Sequence, residues 1–159
     1  MPSAALQITT PSDREILMTR DFHAPRTLVF DTLTKPELLR RWYGPEGWTL
    51  TVCEIDLRPG GAWRFVSRQP DGRETAQFGT YREIAAPEKI VNTEFWEDWN
   101  PGEVLVTTLL TERDGRTTLA ATSLYPSKDV RDKLIAYGMN EHASAEYDKL
   151  ERLLEALEG

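Results

Sequence analysis

The sequence predicts an α+β fold, in which a curved antiparallel sheet of about seven strands carries two short helices after strand 1 and a long C-terminal helix packed across it. Three observations predict this arrangement. Residues 14–22 alternate as a half-buried strand does, with Ile16, Met18, Arg20 and Phe22 on one face and Leu17, Thr19 and Asp21 on the other. Six more strand-like segments follow between residues 48 and 125, separated by turn residues. A helical apolar pattern then occupies residues 127–157.

Length and charge limit the classes of protein to consider. The 159 residues are 40% hydrophobic and suit one domain at residues 14–159, after a flexible N-terminal lead-in at residues 1–13. The net charge of −7 disfavours nucleic-acid binding and attraction to an anionic membrane, because both need clustered Lys and Arg. Cys53 is the only cysteine and no segment is apolar enough for membrane insertion, which together indicate the cytoplasm.

Two short helices are predicted after the first strand. Pro25 fits the first position of the first helix. Thr34 and Glu37 form the T-x-x-E pattern of a capping box, which predicts the start of the second helix. Gly44 and Pro45 end it. The apolar faces of the two helices are formed by Val29, Phe30 and Leu33 and by Leu38, Leu39 and Trp42.

The middle of the chain is predicted to form an antiparallel meander, since parallel neighbours would need crossover connections. The six segments are residues 48–57, 62–69, 73–84, 89–97, 103–113 and 116–125. The turn between the first two contains Pro59, which fixes φ, and a Gly-Gly pair that tolerates positive φ. Beyond this turn Trp63 and Phe65 share one face and Arg64 lies on the other, so the strand has a buried side and a solvent side.

The last segment is predicted as an amphipathic helix of about 30 residues, or about 45 Å. Ser127 fits its N-cap and Asp129 its first turn. Gly138 is the irregular position, because glycine inside a helix costs about 1 kcal/mol relative to alanine, and it indicates a kink or a close approach. The inner face of the sheet is the apolar surface on which such a one-sided helix would lie.

These landmarks resemble the START-like, or SRPBCC, helix-grip superfamily, and within it the branch related to the C-terminal domain of the heat-shock protein 90 ATPase activator. The resemblance covers residues 14–157, and its specificity comes from the order of the motifs. The matching residues are Arg20, Ala24, Pro25, Val29, Phe30, Thr34, Pro36, Trp42, Gly44, Pro45, the run EIDLRPGGAWRF at 54–65, Pro70, Asp71, Gly72, Gly79, Tyr81, Glu83, Ile84, Pro87, Glu88, Gly138 and Met139. Members of the branch often have Gly-Trp after the Gly-Met pair, whereas this chain has Asn140 and Glu141, so no relative's ligand preference is carried over.

The resemblance implies a helix-grip fold with a cavity between sheet and helix, used across the superfamily to hold lipids, hormones or polyketides and sometimes to catalyse reactions on them. Aromatic side chains would give such a cavity polarizable walls and occasional hydrogen-bond donors, although ordinary core packing is the alternative for each of them. The expected ligand-binding residues are Trp42, Trp48, Trp63, Phe65, Phe78, Tyr81, Phe95, Trp96, Trp99, Met139 and His142. Which face of the strands after residue 73 points inward stays open. Phe78, Thr80 and Ile84 would lie on one face, and Gly79, Tyr81 and Glu83 on the other.

Catalytic and cofactor motifs are scarce. The chain has no nucleophile elbow, phosphate-binding glycine loop or zinc spacing, and its two histidines, His23 and His142, lie far apart in sequence. We therefore assign no catalytic residue, metal or cofactor. Cys53 is expected to be a small buried apolar residue. The acidic residues around Glu94 and Asp98 mark either the mouth of the cavity or a solvated rim.

Three functions remain open. The first is binding of a small hydrophobic molecule in the cavity. The second is a cyclase or dehydratase acting on a polyketide-like substrate, with Tyr81, Glu94 or His142 as acid–base groups. The third is a co-chaperone role, by analogy with the ATPase activator. A homodimer is also possible.

Overall fold

The computed structural model describes residues 5–158, which form an α+β fold with one eight-stranded sheet and four helices. The strands are β1 (Gln7–Thr9), β2 (Glu15–Phe22), β3 (Thr49–Ile55), β4 (Ala62–Arg68), β5 (Glu74–Ala85), β6 (Lys89–Trp96), β7 (Val104–Arg113) and β8 (Arg116–Leu124). The helices are α1 (Arg26–Thr34), α2 (Pro36–Trp42), α3 (Lys128–Tyr137) and α4 (Met139–Glu158). This is the architecture of a helix-grip fold, as predicted.

The sheet is antiparallel throughout, in the order β1-β2-β8-β7-β6-β5-β4-β3. Strands β3 to β8 form the predicted meander, and β2 joins it at β8. The strand number exceeds the expected seven because β1 lies in the segment predicted as a flexible lead-in. That prediction is wrong for residues 7–9, where Ile8 pairs with Met18 of β2 and packs against the adjoining core. Residues 1–4 lie outside the described range.

The junction between α1 and α2 differs from the predicted capping box. Thr34 belongs to α1, and its Oγ1 donates to the carbonyl of Phe30 at 2.8 Å. Helix α2 begins at Pro36, which has no N–H to be capped and which holds Lys35 in an extended conformation. Pro25 is the N-cap of α1 rather than its first residue.

The predicted terminal helix is divided at Gly138. The N-cap prediction is confirmed, since Ser127 Oγ accepts a hydrogen bond from the amide of Val130. Gly138 ends α3 with φ of 102° and ψ of 21°, and its N–H donates to the carbonyls of Leu134 and Ile135. Because L-residues rarely adopt this conformation, the glycine allows α4 to leave in a new direction.

The apolar interior contains two clusters of buried side chains. The larger includes Phe22, Trp42 and Leu150 and joins the sheet to α1, α2 and α4. The smaller includes Ile16 and Val130 and lies under α3. None of the helices within residues 5–158 is long and apolar enough to cross a membrane.

Candidate functional site

A cavity of about 540 Å³ lies between the sheet and helices α3 and α4, and its lining includes residues that pack against each of the two apolar clusters, such as Tyr43 and Met139. Its walls come from three parts of the chain. The sheet contributes residues of β4, β5 and β6 and of the loop after β6: Ser67, Thr75, Ala76, Gln77, Glu94, Trp96, Asp98 and Trp99. The segment after α2 contributes Tyr43, Gly44, Pro45 and Trp48. The helices contribute Lys133, Leu134, Tyr137, Met139, His142, Ala143 and Glu146.

The structure brings together five of the eleven residues expected at a ligand site. These cavity-lining residues are Trp48, Trp96, Trp99, Met139 and His142. Trp96 and Trp99 have ring centroids 5.4 Å apart, and the Trp48 ring meets the His142 ring at 5.8 Å. The exposed Tyr137 ring lies 6.1 Å from His142, so aromatic rings continue from the cavity to the protein surface.

Four of the expected residues belong to the core region instead: Trp42, Trp63 and Tyr81 are buried in it, and the partly buried Phe65 packs against it. The indole N–H of Trp42 donates to the carbonyl of Thr32 at 2.8 Å, and that of Trp63 to the carbonyl of Thr93 at 3.1 Å. Because both donors have backbone partners, the indoles are satisfied inside the protein without a ligand.

The last two expected residues, Phe78 and Phe95, lie on the sheet face directed away from the helices. Their rings stack at 5.4 Å beside an open depression of about 920 Å³, which Trp96 also borders. Phe78 pairs with Phe95, whereas the neighbouring pair, Gln77 and Trp96, lines the cavity. Since successive strand residues point to opposite faces, this register places Gly79 and Tyr81 inward, up to the irregularity between Tyr81 and Glu83. Beyond that irregularity the parity is reversed, because Ile84 packs against the core whereas Glu83 is 51% exposed.

Two carboxyl groups give the cavity its polar character. Glu94 of β6 and Glu146 of α4 are half-buried, and burial raises the pKa of each to about 7. The negative charge of Glu94 adds to the raised pKa of Glu146, whereas a hydrogen bond from the Gly44 amide and the charge of Lys149 oppose it. Carboxyl groups with a pKa this close to neutrality can take up or release a proton at physiological pH.

A tyrosine hydroxyl adds a hydrogen-bonding group to the same wall. Tyr43 donates to Oε1 of Gln77 at 2.5 Å, and its ring meets Phe65 edge-on at 5.2 Å. Burial, with the nearby charges of Glu146 and Glu94, raises the pKa of Tyr43 well above its ordinary value, so the hydroxyl stays neutral.

Sequence reasoning missed Tyr43 and Glu146. The signal for Glu146 was the helical spacing of Met139, His142, Ala143 and Glu146, which places all four on one face of α4. Tyr43 carried no comparable signal, because it follows the end of α2 and its direction depends on the loop.

Helix α4 also holds the loop that forms the wall of the cavity at Gly44. The carboxylate of Glu146 accepts from the Gly44 amide, and Nζ of Lys149 donates to the Gly44 carbonyl at 3.0 Å. One turn later Arg152 pairs with Glu46 of the loop at 3.1 Å. The cavity wall and α4 are therefore connected through both the backbone N–H and the backbone C=O of Gly44.

Two other kinds of site, a reactive thiol and a metal centre, are not formed by residues 5–158. Cys53 is buried, and desolvation raises its pKa to about 11, which leaves the thiol protonated and unreactive at neutral pH. Among residues 5–158, no group of three or more His, Cys, Asp or Glu side chains is arranged to hold a metal ion.

The comparisons with known proteins agree with this architecture. A protein from Rhodobacter sphaeroides has a crystal structure with a TM-score of 0.91 and 29% identity, over 96% of this chain and 99% of that one. The crystal structure of a Nitrosomonas europaea protein has a TM-score of 0.84 and 25% identity, over 92% of this chain and 97% of that one. The crystal structure of a Mycobacterium smegmatis protein has a TM-score of 0.82 and 25% identity, over 96% of this chain and 97% of that one. No curated protein sequence matches the chain.

A sequence match that covers most of the described residues shows the family. Residues 23–155 match the family described as activator of Hsp90 ATPase homolog 1-like protein. This match and the shared fold confirm the resemblance to the START-like superfamily. The chain belongs to the family of activator of Hsp90 ATPase homolog 1-like proteins.

Proposed function

We propose that this protein binds a small hydrophobic or amphipathic molecule in the cavity between the sheet and helices α3 and α4. The observation that carries the proposal is the cavity itself. Its volume of about 540 Å³ lies within the ~300–1,000 Å³ typical of small-molecule sites. Aromatic walls with a few convergent polar groups are the usual lining of such sites.

The arrangement of the walls favours an amphipathic ligand. Trp48, Trp96 and Trp99 supply large apolar surfaces, whereas Glu94 and Glu146 place ionisable groups against the same space. A ligand with an aromatic or aliphatic body and one polar group would satisfy both kinds of wall.

The test is to fill the cavity from α4. Ala143 lines the cavity, so Ala143→Phe should occupy part of the ligand space and reduce affinity at least tenfold. Ala156→Phe is the matched control, because Ala156 is exposed on the same helix. Binding is measured by tryptophan fluorescence and native mass spectrometry against a lipid and aromatic library. Equal affinity of the two variants for every ligand found, or no ligand in the library, would contradict the proposal.

A second candidate function is a cyclase or dehydratase, and the two cavity carboxyl groups favour it. With a pKa of about 7, one of Glu94 and Glu146 can be protonated while the other is ionised. In a dehydration, the carboxylate would take a proton from carbon while the carboxylic acid protonates the departing hydroxyl, releasing water. Tyr81, an earlier acid–base candidate, is 6% exposed in the core and does not line the cavity.

The enzymatic candidate has its own test. Glu94→Gln and Glu146→Gln should each abolish conversion of a β-hydroxyketone or linear polyketone substrate while leaving its binding measurable. Products are followed by mass spectrometry, because loss of water changes the mass. Conversion retained in both variants, or absent from the unaltered protein at any pH between 5 and 9, would exclude this function.

The third function, stimulation of a chaperone ATPase, rests on the family description alone. A pull-down with an Hsp90-type chaperone and an ATPase assay test it. No binding and no change in the ATPase rate would exclude it.

A further inference from the structure

The lining of the cavity contains more acidic than basic side chains. Glu94 comes from β6, Asp98 from the following loop and Glu146 from α4, against a single Lys or Arg side chain, Lys133, in this lining. Lys133 is exposed, whereas Glu94 and Glu146 are half-buried. The inner part of the cavity is therefore negative when its carboxyl groups are ionised.

Among residues 5–158, Glu94 has no hydrogen-bond or ion-pair partner of its own. Within the part of the chain that the structure describes, its carboxylate neither accepts a hydrogen bond nor forms an ion pair, and desolvation is what raises its pKa. Glu146 accepts a hydrogen bond from the Gly44 amide and is partly compensated by the charge of Lys149, which itself donates to the Gly44 carbonyl. A carboxylate removed from water without full compensation by a positive charge is unfavourable, so a positive group placed between the two would relieve that cost.

The aromatic walls suit a positive group as well. Tryptophan faces attract cations more strongly than other aromatic rings do, and Trp48, Trp96 and Trp99 all line the space that Glu94 and Glu146 line. Aromatic faces combined with carboxylates are the usual surroundings of bound amines and quaternary ammonium groups.

We infer that the ligand of this cavity carries a cationic nitrogen, which binds between the carboxyl groups of Glu94 and Glu146 and against the faces of the neighbouring tryptophans. The inference rests on the proposed binding function and narrows its ligand class to amphipathic amines. A ligand with a carboxylate at this end is disfavoured, because it would bring a third negative charge into a desolvated space.

The experiment compares three probes with the same aromatic body and different charge: 2-naphthylmethylamine, 2-naphthylmethanol and 2-naphthoate. Affinities of the full chain are measured by isothermal titration calorimetry at pH 7. The amine is expected to bind at least tenfold more tightly than the alcohol, and the carboxylate most weakly. Glu94→Gln and Glu146→Gln should each weaken the amine at least fivefold and leave the alcohol within twofold.

Matched controls separate the cavity charge from the overall charge. Glu97→Gln removes one acid beyond the end of the same strand, where Glu97 pairs with Arg64 outside the cavity at 2.8 Å. It should leave all three affinities within twofold. Gln at position 146 keeps a carbonyl for the Gly44 amide, so a loss of amine binding in Glu146→Gln reports charge rather than loop displacement.

A second readout is the proton released on binding. If the amine lies between the two carboxyl groups, it drives them to the ionised form, so binding at pH 7 should release up to about one proton. Titrations in phosphate and in Tris then give different enthalpies for the amine and equal enthalpies for the alcohol. The other ionisable groups of residues 5–158 facing or influencing the pair are Tyr43, Asp98, Tyr125, Lys133, Tyr137, His142, Tyr147 and Lys149.

The outcomes distinguish a failure of the cationic-ligand inference from a failure of the proposed binding function. Alcohol or carboxylate binding as tightly as the amine, or amine binding unchanged in both Gln variants, overturns the cationic ligand but leaves the binding function standing. Failure of all three probes to bind folded protein, together with failure of the lipid and aromatic library, overturns both.

Discussion

Arg20 shows how a single charged residue orients a helix over the sheet. Its side chain is 6% exposed, and its guanidinium donates to Asp148 at 2.6 Å and Glu151 at 2.7 Å, both on α4. The guanidinium also lies 5.4 Å from the centre of the Phe22 ring. Since Arg20 belongs to β2, these contacts attach the C-terminal half of α4 to the sheet.

Replacing Arg20 therefore has a larger effect than removing its exposed partner. Arg20→Met is expected to lower the free energy of unfolding by about 3 kcal/mol, because it removes a buried guanidinium that pairs with Asp148 and Glu151 at the same time. Asp148→Asn is expected to change it by less than about 1 kcal/mol, because Asp148 is 56% exposed and screened by water. Urea unfolding measures both. Similar losses in the two variants would contradict this assignment.

The raised pKa values of Glu94 and Glu146 predict how stability depends on pH. Each pKa is about 7 in the folded protein against 4.5 as the ordinary value, so between these pH values the folded state binds more protons than the unfolded state. The free energy of unfolding should therefore fall as the pH rises from about 4.5 to about 7, by up to about 3 kcal/mol for each carboxyl group. Glu94→Gln should flatten this decline in urea unfolding curves measured at several pH values.

Glu97 provides a contrast with the opposite sign. The hydrogen bond from Arg64 holds the pKa of Glu97 below its ordinary value, so its contribution to stability is lost only as the pH falls below about 4.5. Glu97→Gln should leave the slope between pH 4.5 and 7 unchanged. A flattened slope in Glu97→Gln, or an unaltered one in Glu94→Gln, would show that the cavity carboxyl groups do not titrate as described.

At the scale of the elements, the break between α3 and α4 shapes the cavity. Helix α3 supplies Lys133, Leu134 and Tyr137 to its wall and α4 supplies the residues from Met139 onward. One straight helix would point these side chains along a single continuous stripe. The left-handed backbone at Gly138 lets both helices face the same space.

Substitution of Gly138 tests this break with little steric interference. A methyl group there would meet only Oε2 of Glu141, at an ordinary contact of 3.6 Å, so the cost of Gly138→Ala comes from the backbone. We expect Gly138→Ala to lower the free energy of unfolding by about 1 kcal/mol. Gly138→Asn should cost less, because asparagine tolerates the left-handed region better. Thermal and urea unfolding measure the order of the two variants, and equal losses would contradict it.

At the scale of the whole molecule, the packing of the helices against the sheet places the tryptophans in two different environments, the core and the cavity wall. Trp42 is 5% exposed in the core and stacks on Tyr147, with ring centroids 6.1 Å apart. Trp99 is 38% exposed and lines the cavity. Trp42 should therefore contribute mainly to stability, and Trp99 mainly to ligand binding.

Phenylalanine substitutions separate these two roles. Trp42→Phe should lower the free energy of unfolding by about 2 kcal/mol, because it leaves the Thr32 carbonyl unpaired and a gap in the core, with amine affinity within twofold. Trp99→Phe should change stability by less than about 0.5 kcal/mol and weaken the amine several-fold. Urea unfolding and calorimetry provide the two measurements. A stable Trp42→Phe variant that fails to bind would contradict the sorting.

Much of the fold was predictable because local signals agree with the tertiary structure. The antiparallel meander, the N-cap at Ser127 and the irregularity at Gly138 all follow from turn residues and hydrogen-bonding preferences that act over a few positions. Strand β1 was missed because residues 7–9 lack an extended alternating pattern and are held by pairing with β2. The capping box at Thr34 failed because a nearby proline set the helix start.

The sequence by itself determined the α+β class, the order of the strands along the chain, the family and the set of aromatic residues from which a cavity can be built. Only the tertiary structure decided which of them face that cavity. The parity of β5 and β6 places Trp96 inside and Phe95 outside, and this parity depends on pairing across the sheet. Glu94 and Glu146, which are 52 positions apart in the sequence, likewise come to line one cavity only in the folded molecule. Their desolvation and the effect of one charge on the other are properties of the packed molecule and leave no local pattern in the chain.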